Sequence, residues 1–182
     1  MKAVMISIKP KWIAKIASGE KTIEVRKSRP KIETPFKCYI YSTKTGNRLY
    51  YNGQNVFDIS KELTGKVVGE FICDKIYGIK PHDDGYGANS YIFVGHYGED
   101  GSCLTFKQLD NYLKNKIGFG WHISDLKIYD KPKELSEFRK PSKEYHDIRE
   151  NKKGYLTFLD GYIEGDPLTR PPQSWCYVEI EE

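Results

Sequence analysis

The residues from Gly19 to Arg26 concentrate the chemistry of this sequence. They follow the pattern G-x-K-x-x-E-x-R, in which Lys21, Glu24 and Arg26 are the charged positions. Arginine offers a planar fork for paired hydrogen bonds to a phosphate or a base edge, and lysine offers a point charge. Glutamate accepts hydrogen bonds from amino groups and can act as a general base. The spacing therefore predicts a polar binding site, and the alternative is a ladder of surface ion pairs, which contribute little.

The segment before these charges predicts a strand followed by a short helix. Residues 3–8 alternate apolar and polar side chains, which is typical of a half-buried strand. Residues 13–17 repeat at helical spacing, and Gly19 follows them as a candidate for the left-handed position that ends a helix.

The charged residues themselves are predicted to lie on a second strand, over residues 21–27. Side chains alternate between the two faces of a strand, so Glu24 and Arg26 lie on one face of it. Lys21 is an odd-numbered position, like the apolar residues of the strand, so alternation alone would place it on the opposite face from Glu24 and Arg26. It joins them only if the strand begins after Lys21 or twists at its start. The sequence leaves both alternatives open.

The rest of the chain supplies further strands and one more helix. Strands are predicted at 36–43, 66–76, 123–129 and 175–180, a helix at 105–116, an excursion at 44–64, a loop and candidate lid at 80–102, and a mobile or partly helical appendage at 130–174. Six strands, with the first and last at the ends of the sequence, predict an α+β fold: a small mixed β-barrel with short helices packed at its ends. We expect a single domain over residues 1–182.

Charge is unevenly distributed along the chain. The net charge is +4, but residues 1–40 hold ten Lys or Arg against three acidic residues. The remaining residues are mildly acidic, with 19 bases and 22 acids. This basic end favours a polyanion partner, and a lysine-rich solvated surface is the alternative.

Cysteine, histidine and hydropathy patterns exclude several classes of site. The four cysteines are scattered at positions 38, 73, 103 and 176 without a C-x-x-C pair, so we expect reduced thiols. Histidine and acidic residues at 80–102 lack a compact ligand spacing, and we expect neither a metal nor another cofactor. The sequence offers no signal peptide or spanning segment, and we expect a cytoplasmic protein with no membrane contact.

The G-x-K-x-x-E-x-R pattern, together with the order strand, short helix, strand, resembles the signature of ASCH domains. The resemblance runs from residue 1 to about 129 and includes the last strand, and it is similar in character to ASCH proteins of Firmicutes and their phages. It implies a PUA-like β-barrel that binds RNA or a modified nucleoside in a cleft beside the signature strand. On that resemblance Lys21 and Arg26 contact a phosphate or a base edge, and Glu24 orients them or accepts from an amino group. The other expected ligand-binding residues are Lys9, Thr22, Tyr41, Ser42 and Trp121.

The same resemblance offers an enzyme as an alternative. Some small ASCH proteins look like 4-acetylcytidine amidohydrolases, in which the signature lysine works with a threonine nucleophile and a carboxylate. Lys21 matches that lysine, Glu24 occupies the threonine position, and Thr22 lies two residues away. Other members resemble ribonucleases, in which Glu24 would act as a base. Lys21 and Glu24 are therefore the candidate catalytic residues, and a regulatory protein that binds an acidic protein partner is a third hypothesis.

Overall fold

A computed structural model describes residues 2–44, 63–83, 89–96, 101–150 and 156–179. These residues form eleven strands and two short α-helices, an α+β fold. In chain order they are β1 (Lys2–Ile8), α1 (Pro10–Ala17), β2 (Ile23–Arg26), β3 (Phe36–Ser42), β4 (Val67–Cys73), β5 (Ile76–Asp83), β6 (Asn89–Val94), α2 (Phe106–Leu113), β7 (Gly118–His122), β8 (Ser124–Lys133), β9 (Lys143–Glu150), β10 (Leu156–Ile163) and β11 (Trp175–Glu179). Neither of these helices has the length and apolar character needed to span a membrane.

The larger sheet has five strands in the order β11-β1-β3-β4-β8. Strand β1 pairs in parallel with β3 and antiparallel with β11, so it lies between neighbours on both sides. Six of its seven residues are buried, because its two faces contact different core clusters. Its even-numbered residues from Val4 to Ile8 pack against Ile13 and Ile16 of α1 in one cluster.

The smaller sheet carries the charged strand. It has four antiparallel strands in the order β2-β7-β5-β6, and α2 packs against one face through Leu109 and Leu113. Its other face meets the larger sheet through Trp121 of β7, which is fully buried. The centre of the Trp121 ring lies 5.8 Å from the centre of the Phe36 ring and 5.9 Å from that of the Trp175 ring. This tryptophan therefore joins the two sheets.

The expected six-stranded barrel is not what the described strands form. They divide into the two sheets above and a separate hairpin, β9 with β10, and they show no closed barrel. The predicted strand at 66–76 is two strands, because β4 ends at Cys73 and β5 begins at Ile76. A short additional strand, β7, precedes β8. The continuous run of apolar residues in the sequence therefore did not indicate the break between β4 and β5 at Asp74 and Lys75.

Two segments expected to lack strands contain them. Within 80–102, predicted as a loop from its glycines, β5 extends to Asp83 and β6 covers Asn89–Val94. Within 130–174, β9 and β10 pair along eight residues, so strands rather than a helix form this part of the predicted appendage. The excursion at 44–64 falls mostly outside the described residues, and the single domain stays a prediction.

Candidate functional site

The turn after α1 sets the position of Lys21. The helix begins with Pro10 in its first turn and ends at Ala17, and Gly19 then adopts a φ of +79°. A glycine tolerates this left-handed conformation without the steric cost that a Cβ brings. Strand β2 begins only at Ile23, so Lys21 precedes it and is free of the alternation of the strand. Of the two alternatives that the sequence left open, the strand beginning after Lys21 is the observed one.

The Lys21 ammonium group is fully engaged. Its Nζ donates to the carbonyl oxygens of Ile23, at 2.7 Å, and Ser102, at 2.6 Å. It also lies 3.4 Å from Oε2 of Glu24, and the lysine side chain is only 1% exposed. Of the three N–H groups of the ammonium, two donate hydrogen bonds, and the contact with Glu24 is an ion pair. Lys21 therefore fixes Glu24 and ties β2 to the segment that leads into α2.

Glu24 and Arg26 form the rest of a buried ionic triad with Lys21. Arg26 Nη2 lies 3.2 Å from Glu24 Oε1 and donates to the carbonyl oxygen of Ser7 at 2.6 Å. The two side chains are only 7% and 11% exposed. Glu24 Oε2 and Arg26 Nε nevertheless have no hydrogen-bond partner among the described residues. An unsatisfied buried polar group costs about 1–3 kcal/mol, so these two atoms mark a place where a ligand or water can bind.

The triad lines a cleft of about 510 Å³ between α1, β2, α2 and the segment before β11. Its lining residues are Ser7, Ile8, Lys9, Lys11, Trp12, Lys21, Glu24, Val25, Arg26, Thr43, Leu104, Gln108, Asn111, Tyr112, Gln173 and Ser174. Two aromatic rings in this lining are accompanied by cations. Lys11 Nζ lies 4.6 Å from the centre of the Trp12 ring, and Lys27 Nζ lies 4.9 Å from that of Tyr112. Aromatic faces and cations in one cavity are suited to a nucleobase and its phosphate.

Two solved structures of ASCH from Zymomonas mobilis are similar to this fold. The first is 16% identical in sequence, covers 97% of this chain and 87% of its own, and has a TM-score of 0.55. The second, a single-residue variant of that protein, is 16% identical, covers 97% of this chain and 88% of its own, and has a TM-score of 0.53. This chain has the fold of an ASCH domain. At this identity the likeness shows the fold alone, and the chain matches no protein-family model and no curated protein.

The ASCH resemblance expected from the signature is thus confirmed at the level of fold. The predicted site residues divide into two groups within it. Lys9 joins the triad of Lys21, Glu24 and Arg26 in the lining of the cleft. The other four predicted residues, Thr22, Tyr41, Ser42 and Trp121, are not in that lining.

Each of these four has a structural reason for its position. Thr22 is exposed beside Gly101, to which its main-chain N–H donates at 2.9 Å. Tyr41 and Ser42 are buried on β3, whose two faces pack into different core clusters. Trp121 packs between the two sheets, and its Nε1 has no hydrogen-bond partner among the described residues. Their expected roles in binding stay predictions.

Several lining residues of the cleft were not predicted from the sequence. Gln108, Asn111 and Tyr112 lie three and four residues apart on α2, so they share one face of that helix. This spacing is present in the sequence, within the helix predicted at 105–116. Ser174 reaches the cleft because β11 pairs with β1, and no local pattern signals that approach.

Two other polar clusters lie outside the cleft lining. Burial raises the pKa of Glu70, but hydrogen bonds from Tyr129 and Lys37 outweigh it, and the net pKa is lowered. Asp74 behaves similarly, since burial raises its pKa and the hydrogen bond with His122 at 2.6 Å helps to lower it overall. In the part of the chain that the structure describes, no three metal-ligating side chains are grouped to hold an ion.

Proposed function

We propose that this protein binds RNA or a modified nucleoside in the cleft lined by the ionic triad. The observation that carries the proposal is two buried atoms at one cavity, Glu24 Oε2 and Arg26 Nε, which have no hydrogen-bond partner among the described residues. One is an acceptor and the other a donor, and together they complement the edge of a base that presents an N–H beside an acceptor. The proposal includes a PUA-like relationship of the fold and a cytoplasmic location.

Two aromatic rings and two lysines of the lining are assigned to the base and the phosphate. The Trp12 and Tyr112 rings supply faces on which a base can stack, a contact that contributes about 1–3 kcal/mol per base. Lys9 and Lys11 supply positive charge for a phosphate. Lys21 acts indirectly, because its ammonium group is held by two carbonyl oxygens and by Glu24.

A hydrolase that acts on an acylated nucleoside, like a 4-acetylcytidine amidohydrolase, or on RNA, like a ribonuclease, is the second candidate. The observation that favours it is Thr43, whose Oγ1 is buried without a hydrogen-bond partner among the described residues. Thr43 lines the same cleft as Glu24, so one cavity holds a hydroxyl and a carboxylate. These groups are the nucleophile and the general base that acyl transfer requires. In this version Glu24 is catalytic and Lys21 orients it.

Calorimetric titration with cytidine, adenosine, their 5′-monophosphates and 4-acetylcytidine tests the binding proposal. Arg26→Lys keeps the positive charge but removes the guanidinium donors, so affinity for the best ligand should fall about 5-fold to 150-fold, the equivalent of about 1–3 kcal/mol. Lys140→Arg, at an exposed pair with Asp166, is the matched control and should leave affinity unchanged. Equal affinities of wild type and Arg26→Lys would reject the site.

The hydrolase is tested in the same samples by chromatography of 4-acetylcytidine and of short RNAs after incubation. Turnover that is abolished by Thr43→Val, with ligand affinity retained, supports the enzyme. Binding without turnover in the wild-type protein supports a binding module alone.

A further inference from the structure

A second cavity, of about 740 Å³, lies beside the loop that connects β2 to β3. Its lining residues are Arg29, Pro30, Lys31, Ile32, Glu33, Thr34 and Ile76. This loop leaves the first cleft directly at Arg26, the last residue of β2. The two cavities are therefore joined by residues 26–31, which span at most about 18 Å when fully extended.

The loop between the cavities is held at defined points. The Trp175 indole N–H donates to the Ser28 hydroxyl at 3.1 Å, and the main-chain N–H of Lys31 donates to the Tyr177 hydroxyl at 2.7 Å. Both aromatic residues belong to β11, and Pro30 between the two contacts is buried. These contacts engage the main chain and Ser28, so they leave the basic side chains of the loop exposed.

Three of the exposed side chains of this loop are cations. Lys27 lies over the Tyr112 ring at the first cleft, Arg29 lies 5.8 Å from the centre of the Phe119 ring, and Lys31 lines the second cavity. None of these three cations has an ion pair within the described ranges. Other surface lysines do pair with carboxylates, among them Lys15 with Glu20.

The unpaired cations belong to the basic part of the chain. Lys9 and Lys11 on the first cleft and the three cations of the loop all belong to the first forty residues, which hold ten bases and three acids. Only one acidic residue, Glu33, lies among the seven that line the second cavity. A row of unpaired cations beside aromatic rings, running between two cavities, matches the way that single-stranded nucleic acids are bound without base-specific contacts.

We propose that the ligand of the cleft is a single-stranded polynucleotide, whose backbone leaves the cleft along Lys27, Arg29 and Lys31 and reaches the second cavity. This inference rests on the proposed function and extends it, since a lone nucleoside fills only the first cleft. Each phosphate contact with a single strand changes the slope of log K against log salt by about 0.7, so one contact is worth about fivefold in affinity at 0.1 M salt.

Fluorescence anisotropy with 5′-labelled mixed-sequence RNA hexamers, at several salt concentrations, tests the extended path. Arg29→Ala/Lys31→Ala should weaken hexamer binding about 25-fold at 0.1 M salt and reduce the salt slope by about 1.4. The variant keeps the Lys31 main-chain contact with Tyr177, so the loop should remain in place. Nucleoside affinity should be the same in wild type and variant, because neither residue lines the first cleft.

A double variant on the larger sheet controls for net charge. Lys127→Ala/Lys131→Ala removes the same charge from β8, which lies at the sheet edge opposite β11, and should leave hexamer affinity within twofold of the wild type. Equal losses in the two double variants overturn the extended path. So does a wild-type protein that binds a nucleoside and a hexamer equally well, an outcome that leaves the proposed function intact.

The remaining outcomes separate the partner classes. A polyglutamate chain that competes with the hexamer at equal concentration of charge, with the same loss in Arg29→Ala/Lys31→Ala, assigns the surface to an acidic protein partner and overturns the inference. A wild-type protein that binds neither nucleosides nor hexamers overturns the inference and the proposed function together.

Discussion

Replacing Glu24 with glutamine should destabilise the protein far more than breaking a shorter ion pair on its surface. The Glu24 carboxylate lies 3.4 Å from Lys21 Nζ and 3.2 Å from Arg26 Nη2. At an effective dielectric constant of about 20, each pair has about 5 kcal/mol of gross attraction, most of which offsets desolvation. Removing the negative charge leaves two buried cations without a counter-charge, and breaking a buried pair in this way typically costs about 3–5 kcal/mol.

The measurement is thermal and urea unfolding of Glu24→Gln beside the wild type. For a chain of this size each kcal/mol changes the melting temperature by about 2–4 °C, so a fall of about 6–20 °C is expected. The matched control is Glu20→Gln, which breaks the Lys15–Glu20 pair at 2.6 Å. That pair is shorter, but its side chains are 41% and 57% exposed, so the midpoint should stay close to the wild-type value.

Two results would refute this reasoning. One is an equal loss of stability in Glu20→Gln and Glu24→Gln, since burial would then have no effect on the strength of the pair. The other is a loss below about 1 kcal/mol in Glu24→Gln, which is the range of exposed pairs and would mean that the triad is solvated.

Two further predictions concern Gly69 and Glu70 on β4, in the larger sheet. A Cβ at Gly69 meets the Lys127 carbonyl oxygen at 2.5 Å, so Gly69→Ala should cost about 1–3 kcal/mol in urea unfolding. Gly78→Ala, whose nearest neighbour is Val94 Cβ at 3.9 Å, should be neutral or slightly stabilising, and an equal loss in both variants would contradict the steric argument. The pKa of Glu70 is lowered from 4.5 by folding, so its contribution to stability is present above that pH and is lost as the pH falls through the folded value. Glu70→Gln should therefore lose less stability than the wild type between pH 5 and pH 3, as measured by urea unfolding at each pH.

Local sequence patterns predicted the elements around the triad correctly. Alternation over residues 3–8 and helical spacing over 13–17 correspond to β1 and α1, and Gly19 has the positive φ expected of it. The helix predicted at 105–116 corresponds to α2, which begins with a capping box in which Thr105 and Gln108 form both hydrogen bonds. These features depend on neighbours within a few residues, so sequence spacing alone specifies them.

The environment of the triad depends on contacts that sequence spacing does not encode. Lys21 joins Glu24 partly because its ammonium binds the Ser102 carbonyl, 81 residues away in sequence. Trp121 has the same local pattern whether it lines a cleft or a core, and its packing against Phe36 and Trp175 places it in the core. Placing Tyr41 in the core rather than in the lining of the cleft required knowing what packs on that face of β3.

The β5–β6 hairpin illustrates the limit of composition as a guide. Glycines and charges in 80–102 favoured a loop, although Tyr91 and Phe93 pack against the cluster below α2 and Ile92 between them is exposed. This alternation is the ordinary signal of a strand with one covered face. It was outweighed by the turn residues on either side of a segment only six residues long.

The pairing of β1 with β11 has a consequence for the order in which the protein is made. The Ser7 main-chain N–H donates to the Ser174 carbonyl oxygen at 2.9 Å, and its hydroxyl donates to the Pro172 carbonyl oxygen at 2.6 Å. A ribosome must therefore translate through residue 179 before β1, which is synthesised earlier, can pair with β11. Only then can the segment before β11 line the cleft. Chains released early expose an unpaired strand edge, which marks them for aggregation or degradation. The cleft is therefore complete only in chains that carry β11.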